Sequence, residues 1–123
     1  MQQVLLVFLG GGLGSVLRYL IGLKLNQNSL PYGTLTVNIL GSLLIGLVMG
    51  YVLKSSNNNL SNNQIAFLVI GVFGGFTTFS SFMYENLQFL INEHYTRFIF
   101  YTLLSLFLGV LAVSLGFLGG KQL

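Results

Sequence analysis

The sequence predicts an all-α membrane protein with four transmembrane helices. Three observations carry this reading. Of 123 residues, 54% are hydrophobic and only 6% are charged, against roughly a quarter charged in soluble domains. The mean hydropathy is +0.82. The apolar residues gather into four stretches, each long enough (roughly 20 residues) to cross a hydrocarbon core as a helix. A 13.5 kDa chain cannot hide that much apolar surface in one small core, so a lipid bilayer is its solvent. The same composition excludes disorder, which needs low hydrophobicity and high net charge.

The first span covers about residues 4–23 and is broken only by Arg18. The second, about 34–53, carries no charge. The third, about 65–91, carries Glu85 alone, and the fourth, about 98–118, carries none. A lone span in lipid must satisfy its own backbone hydrogen bonds, so each is expected as a helix. The connections are short and polar. Residues 24–32 hold Pro31, 54–64 read KSSNNNLSNNQ, and 92–97 hold Glu93 and His94. The stretch before the first span lacks Lys and Arg, and its apolar run is too long for a signal peptide, so a retained span is expected. Residues 1–123 are read as a single four-span domain, multi-pass in the cell membrane.

Charge narrows the chemistry. There is no Cys and no Asp; the acids are Glu85 and Glu93, and the one histidine is His94. Disulfides, thiolate metal sites and hydrolytic triads have almost nothing to draw on, so no enzyme is expected. The cations Arg18, Lys24, Lys54, Arg97 and Lys121 are scattered singly, which leaves no basic patch for nucleic acid. With four spans, Lys54 and Lys121 lie on one side and Lys24 and Arg97 on the other, with Arg18 near that second side. The positive-inside rule needs a clear excess, and there is almost none. Such a chain either inserts both ways up, which permits an antiparallel dimer, or keeps one weakly biased topology; charge counting alone favours neither.

Glycines number 16. Gly10 and Gly14, Gly46 and Gly50, and Gly71 and Gly75 stand four apart, the spacing that lets helix backbones approach closely in lipid. Polar groups within the spans are expensive and attract first suspicion. Arg18 either snorkels to the interface or attracts anions in a vestibule. The amide of Asn38 can donate to an anion or to a neighbouring helix.

The third span is the most unusual. It reads GVFGGFTTFSSFMYEN over residues 71–86. Gly71, Gly74 and Gly75 weaken a helix, and Thr77, Thr78, Ser80 and Ser81 follow with hydroxyls. At about 27 residues it is also long for a straight crossing. One reading is a helix broken near mid-membrane; the other is a glycine-tolerant packing face with hydroxyls bonded back to their own helix. Breaks at that depth are tolerated where protein or water covers the freed backbone groups, and in transporters they expose carbonyls to Na⁺. Phe79 and Phe82 lie on one face of a helix. Such rings ordinarily pack, yet their electropositive edges can also face a small anion. Glu85 is either interfacial or holds a donor near a pore.

GVFGGFTTFSSF, with Glu85 three residues after Phe82, resembles the signature of the small fluoride channels, the CrcB or Fluc family. GGGLGSVLRY at residues 10–19 and YGTLTVNILGSLLIG at residues 32–46 agree with it. The resemblance covers nearly the whole chain, with its motifs in the first three spans. It implies an antiparallel dual-topology homodimer with two fluoride pathways, although some members pair with a paralogous partner subunit. It also implies a central structural Na⁺, not transported, held by backbone carbonyls. Carried onto this chain, those carbonyls belong to Gly74 and Thr77. The pathway comprises Asn38, Phe79 and Phe82, with Thr78, Ser80 and Ser81 in a polar track, and Arg18 is the vestibule cation. Glu85, and Tyr101 and Ser105 of the fourth span, lie near it. The fourth span departs from the family in following Gly109 with Val110 and Leu111, so that part of the track differs.

The implied function is passive, selective export of cytoplasmic fluoride, which relieves its toxicity. Fluoride is small and strongly hydrated, so a pore must replace its water with donors. Neutral donors suit conduction, because an ion must leave as well as enter. Two other classes compete. Small multidrug exporters share the four-span, dual-topology layout, but depend on an acid in the first span, where this chain has Arg18. A structural or partner subunit of a larger membrane complex would use the glycine faces, but has no need of the hydroxyl–phenylalanine cluster.

Overall fold

The computed structural model describes residues 1–27, 29–54 and 60–123. All regular structure among them is helical. The elements are α1 (Gln2–Leu25), α2 (Tyr32–Lys54), α3 (Asn62–Ile65), a π-helical segment (Ala66–Phe73), α4 (Gly74–Phe76), α5 (Ser80–Ile91) and α6 (Tyr95–Gly120). Four stretches are long and apolar enough to cross a membrane: Gln2–Leu25, Tyr32–Lys54, Asn62–Ile91 and Tyr95–Gly120.

Most helix ends run slightly past the apolar stretches, because polar end residues continue the helix. The third span begins at Asn62 rather than near Ile65. Ser61 forms a reciprocal cap there: its Oγ accepts from the Gln64 amide (3.3 Å), and its own amide donates to Gln64 Oε1 (2.8 Å). Two orphan amides are satisfied at once. The solvated turn expected over 54–64 therefore ends at Ser61, and its residues 55–59 lie outside the described residues.

The turn from α5 to α6 is equally defined. The His94 amide closes on Phe89 O (2.7 Å) and the Glu93 amide on Leu90 O (3.2 Å). That is a Schellman stop, and Glu93 takes its left-handed position at φ 58°. α6 begins directly afterwards at Tyr95, so residues 95–97 of the expected connection are helical.

The helices pair out of sequence order. α1 packs along the π-helical segment and α4, and α2 packs along α6. Glycine makes both pairings possible. A Cβ on Gly10 would strike the Phe67 carbonyl, one on Gly14 the Val72 carbonyl, and one on Gly75 the Gly11 carbonyl. Between the other two helices the arrangement is reciprocal. Gly46 and Gly50 lie on the backbone of Val113 and Phe117, while Gly116 and Gly120 lie on that of Leu43 and Leu47. Backbones this close gain dispersion contact that larger residues would prevent. The spacing in the first three spans predicts these approaches; Gly116 and Gly120 extend the same rule to the fourth.

The π-helical segment has no marker in the sequence. It closes i→i+5 rather than i→i+4. Side chains buried within the chain are few. Tyr101, Phe82 and Phe89 form a cluster between α5 and α6, flanked by Leu30, Leu35 and Phe98. Most other large apolar residues lie on the outside, as a lipid-facing surface requires.

Candidate functional site

The site is built around residues 77–79. α4 ends at Phe76, Thr77 has an extended backbone (φ −83°, ψ 159°), and helix resumes at Ser80. Asn38 of α2 meets this stretch. Its Nδ2 donates to Thr78 O (2.9 Å), and its Oδ1 accepts from the Thr78 amide (2.8 Å). One side-chain amide thus replaces helical partners for both backbone groups of one residue. Thr78 Oγ1 then accepts from the Ser81 amide (3.1 Å) and lies 3.4 Å from Ser80 Oγ. The hydroxyl thereby satisfies one of the orphan amides in the first turn of α5.

These side-chain bonds have a consequence for two carbonyls. In a continuous α-helix the Thr78 amide would close on Gly74 O, and the Ser81 amide on Thr77 O. Here both amides are diverted, to Asn38 and to the Thr78 hydroxyl. Thr77 itself is held by its amide and hydroxyl, both donating to Phe73 O at 3.0 Å. Its methyl occupies the space above Gly41 that a Cβ there would fill.

Arg18 comes to the same region from α1. Its Nε donates to Gly75 O (3.1 Å), which Ser15 Oγ also approaches (3.4 Å). The guanidinium lines a cavity of about 250 Å³ together with Asn26, Thr34, Thr78, Ser81 and Glu85. Its charge is therefore anchored at the edge of a cavity rather than free along the helix exterior.

Glu85 of α5 lines the same cavity. Thr34 Oγ1 donates to its Oε1 (2.5 Å) and the Tyr101 hydroxyl to its Oε2 (2.8 Å). Both carboxylate oxygens have a neutral donor. A second cavity, also about 250 Å³, shares Thr78 with the first and is lined further by Asn38, Ser42, Thr77 and Phe79.

The aromatic residues divide. Phe82 is 5% exposed and stacks obliquely on Tyr101, centroids 5.2 Å apart. Phe79 is 71% exposed, 6.1 Å from the Phe82 ring. Gly74 and Ser80 also face outward. Among the described residues, Ser105 Oγ is buried with no hydrogen-bond partner, and so is Asn86 Nδ2, although Asn86 Oδ1 accepts from Thr102 (3.1 Å).

Arg18, Asn38, Thr77, Thr78, Ser80, Ser81, Glu85 and Tyr101 are thus drawn into one connected region. Thr34 and Asn26 belong to it as well; Thr34 lies inside the motif at residues 32–46 without being singled out there, and Asn26 lies outside the motifs. The signal for Thr34 is a hydroxyl in the apolar second span, one helical turn before Asn38.

A helical, multi-pass membrane protein with a cluster of neutral donors between its helices is the class this defines. The profile of the family described as "CrcB-like protein, Camphor Resistance (CrcB)" matches residues 5–117. Among similar proteins, one from Gloeothece citriformis, named "Fluoride-specific ion channel FluC", is 51% identical over 94% of each chain. A protein of the same name from Flavobacterium psychrophilum is 44% identical over 100% of each chain. Another from Thermus thermophilus is 48% identical over 98% of this chain and 97% of its own. The chain belongs to the CrcB family.

Proposed function

We infer that this chain is a passive, fluoride-selective channel that lets cytoplasmic fluoride leave the cell. The observation that carries the reading is the donor cluster around Thr78, which offers amides and hydroxyls with a single anchored cation at its edge. A small anion crossing lipid needs its water replaced by such donors, and neutral ones release it again. Asn38 keeps a second amide hydrogen beyond the one bound to Thr78. Ser80, Ser81 and Thr78 add hydroxyls, and the edges of Phe79 and Phe82 add polarised C–H groups. The anion moves down its electrochemical gradient, so the membrane potential drives it outward.

The interruption at residues 77–79 is read as a helix break near mid-membrane. The carbonyls of Gly74 and Thr77 suit a structural Na⁺, since the amides that would normally occupy them are diverted. Carbonyl oxygen is the hard ligand such a cation takes. An Na⁺ there would add positive charge beside the pathway. Gly74, Phe79 and Ser80 face outward, which supports completion of the site by a second copy in an antiparallel homodimer. The outward faces also suit a paralogous partner subunit, but the near-balance of loop charges favours a second copy.

The test is efflux from liposomes holding only this purified protein, with a K⁺ ionophore to carry the compensating charge. Rapid fluoride efflux with little chloride efflux is expected. Absence of fluoride efflux from folded protein would overturn the homodimeric channel.

A further inference from the structure

We propose that Asn26 is a positioning residue for the pathway, acting through Thr34 on Glu85. The proposal rests on the channel reading. Asn26 lies just past the end of α1. Its Oδ1 accepts from the amides of Gly33 (2.7 Å) and Thr34 (3.2 Å) in the first turn of α2. Both partners are backbone donors, so the atom facing them is fixed as the oxygen. The nitrogen must then be the atom facing Thr34 Oγ1, at 3.4 Å. Nδ2 can only donate. The Thr34 hydroxyl therefore accepts from Asn26, and its own proton is directed at Glu85 Oε1. The orientation of the chain Asn26→Thr34→Glu85 is set at its far end by two backbone amides. Tyr101 supplies the matching donor to the other oxygen.

The sequence leaves room for this arrangement at one point. A Cβ on Gly33 would stand 2.7 Å from Asn26 Oδ1 and 2.9 Å from the Gly22 Cα. Only glycine lets the amide enter between the two helix ends. Thr34 is 4% exposed, so water is poorly placed to substitute for the missing donor.

The consequence falls on the cavity that Asn26, Thr34, Arg18 and Glu85 share. A carboxylate swung into that space would repel an approaching anion and draw off the Arg18 charge. Held by two donors on the wall, Glu85 leaves the space to the anion. Asn26 matters because an unoriented Thr34 hydroxyl can turn elsewhere, releasing one of those donors.

Asn26→Asp separates this role from simple helix capping. The carboxylate still accepts from the Gly33 and Thr34 amides, and caps a helix as well as Asn does. It can no longer donate to Thr34, and instead competes for the Thr34 proton. The efflux rate of N26D is expected to fall about fivefold or more, with the thermal midpoint unchanged, while Thr34→Val falls by a similar factor. In the T34V background, N26D should add less than about a twofold further loss, because the two residues act in series. A direct readout needs no flux. The chain has two glutamates, so carbon-13 at the side-chain carboxyls gives one signal for Glu85 and a reference signal for Glu93. N26D should displace the Glu85 signal only, and should leave it unmoved when Thr34 is already Val.

Wild-type efflux from N26D, or an N26D loss that persists in full in the T34V background, would overturn the proposal; the second result would mean a plain charge effect. If wild-type protein itself passes no fluoride, the channel reading fails. The Glu85 signal then decides the relay alone: movement in N26D that vanishes in the T34V background supports it, and no movement, or movement that persists there, overturns it.

Discussion

Asn38 holds Thr78, forty residues away in the chain, by both of its backbone polar groups. The amide does for the chain at residues 77–79 what a helical neighbour does elsewhere. It ties α2 to the stretch between α4 and α5.

Removing that contact should therefore damage both fold and flux. Asn38→Ala leaves the part-buried Thr78 amide and carbonyl without their partner, a loss of about 1 kcal/mol for each group. Melting followed by circular dichroism should drop clearly, and fluoride efflux should fall more than about tenfold. Asn38→Asp keeps the acceptor but sets oxygen against Thr78 O, and should be no better than Ala. Wild-type efflux from either variant would show that the pairing is dispensable.

The glycine contacts between α2 and α6 predict a sharp contrast between near neighbours. A Cβ on Gly116 meets the Leu43 backbone, whereas one on Gly119 meets nothing within 4 Å. Gly116→Ala should cost about 1–3 kcal/mol through overpacking, and Gly119→Ala should change stability little. Denaturation in detergent compares the two directly.

The two phenylalanines should separate stability from transport. Phe82 is buried against Tyr101 and Phe79 is exposed. Phe82→Ala should remove about 3 kcal/mol or more by opening a cavity. Phe79→Ile should keep the helical content and abolish fluoride efflux. Retained efflux in F79I would remove Phe79 from the pathway.

Glu93 predicts a gain. It occupies the left-handed position of the Schellman stop at φ 58°, where a Cβ is unfavourable by about 1–2 kcal/mol. Glu93→Gly should raise the thermal midpoint, by about 1 kcal/mol in stability after the added chain entropy of glycine. The turn lies outside the spans, so efflux should not change. A lower midpoint would mean that the Glu93 side chain contributes more than its backbone strain removes.

Much of the fold is legible because composition and hydropathy alone set the four helices. The glycine spacing is legible for the same reason: close approach in lipid demands small residues at i and i+4. The helix limits are less so, since Ser61 with Gln64 is a short polar signal outside the apolar run. The π-helical segment is not legible at all; eight residues of AFLVIGVF carry no feature that prefers one helical closure to another. At the site, the polar residues of the third span stand out against their surroundings, but their partners do not. Arg18 offers two readings in sequence, snorkelling or vestibule, and neither includes its bond to Gly75 O. Asn26 is invisible because an Asn at a helix end is ordinary; only the fold brings it to Thr34.

The interlocking of non-neighbouring helices bears on how the chain is assembled during synthesis. Spans enter the bilayer in order, yet the first closes on the third and the second on the fourth. Neither glycine clasp can form when its first member arrives. α1 must wait in the lipid until Gly71 and Gly75 emerge, and α2 until Gly116 and Gly120 do. Such non-local pairing is the slow kind, because long stretches of chain are ordered before any contact rewards them. A chain stopped after residue 91 would leave α2 without its clasp, a vulnerable intermediate for membrane quality control.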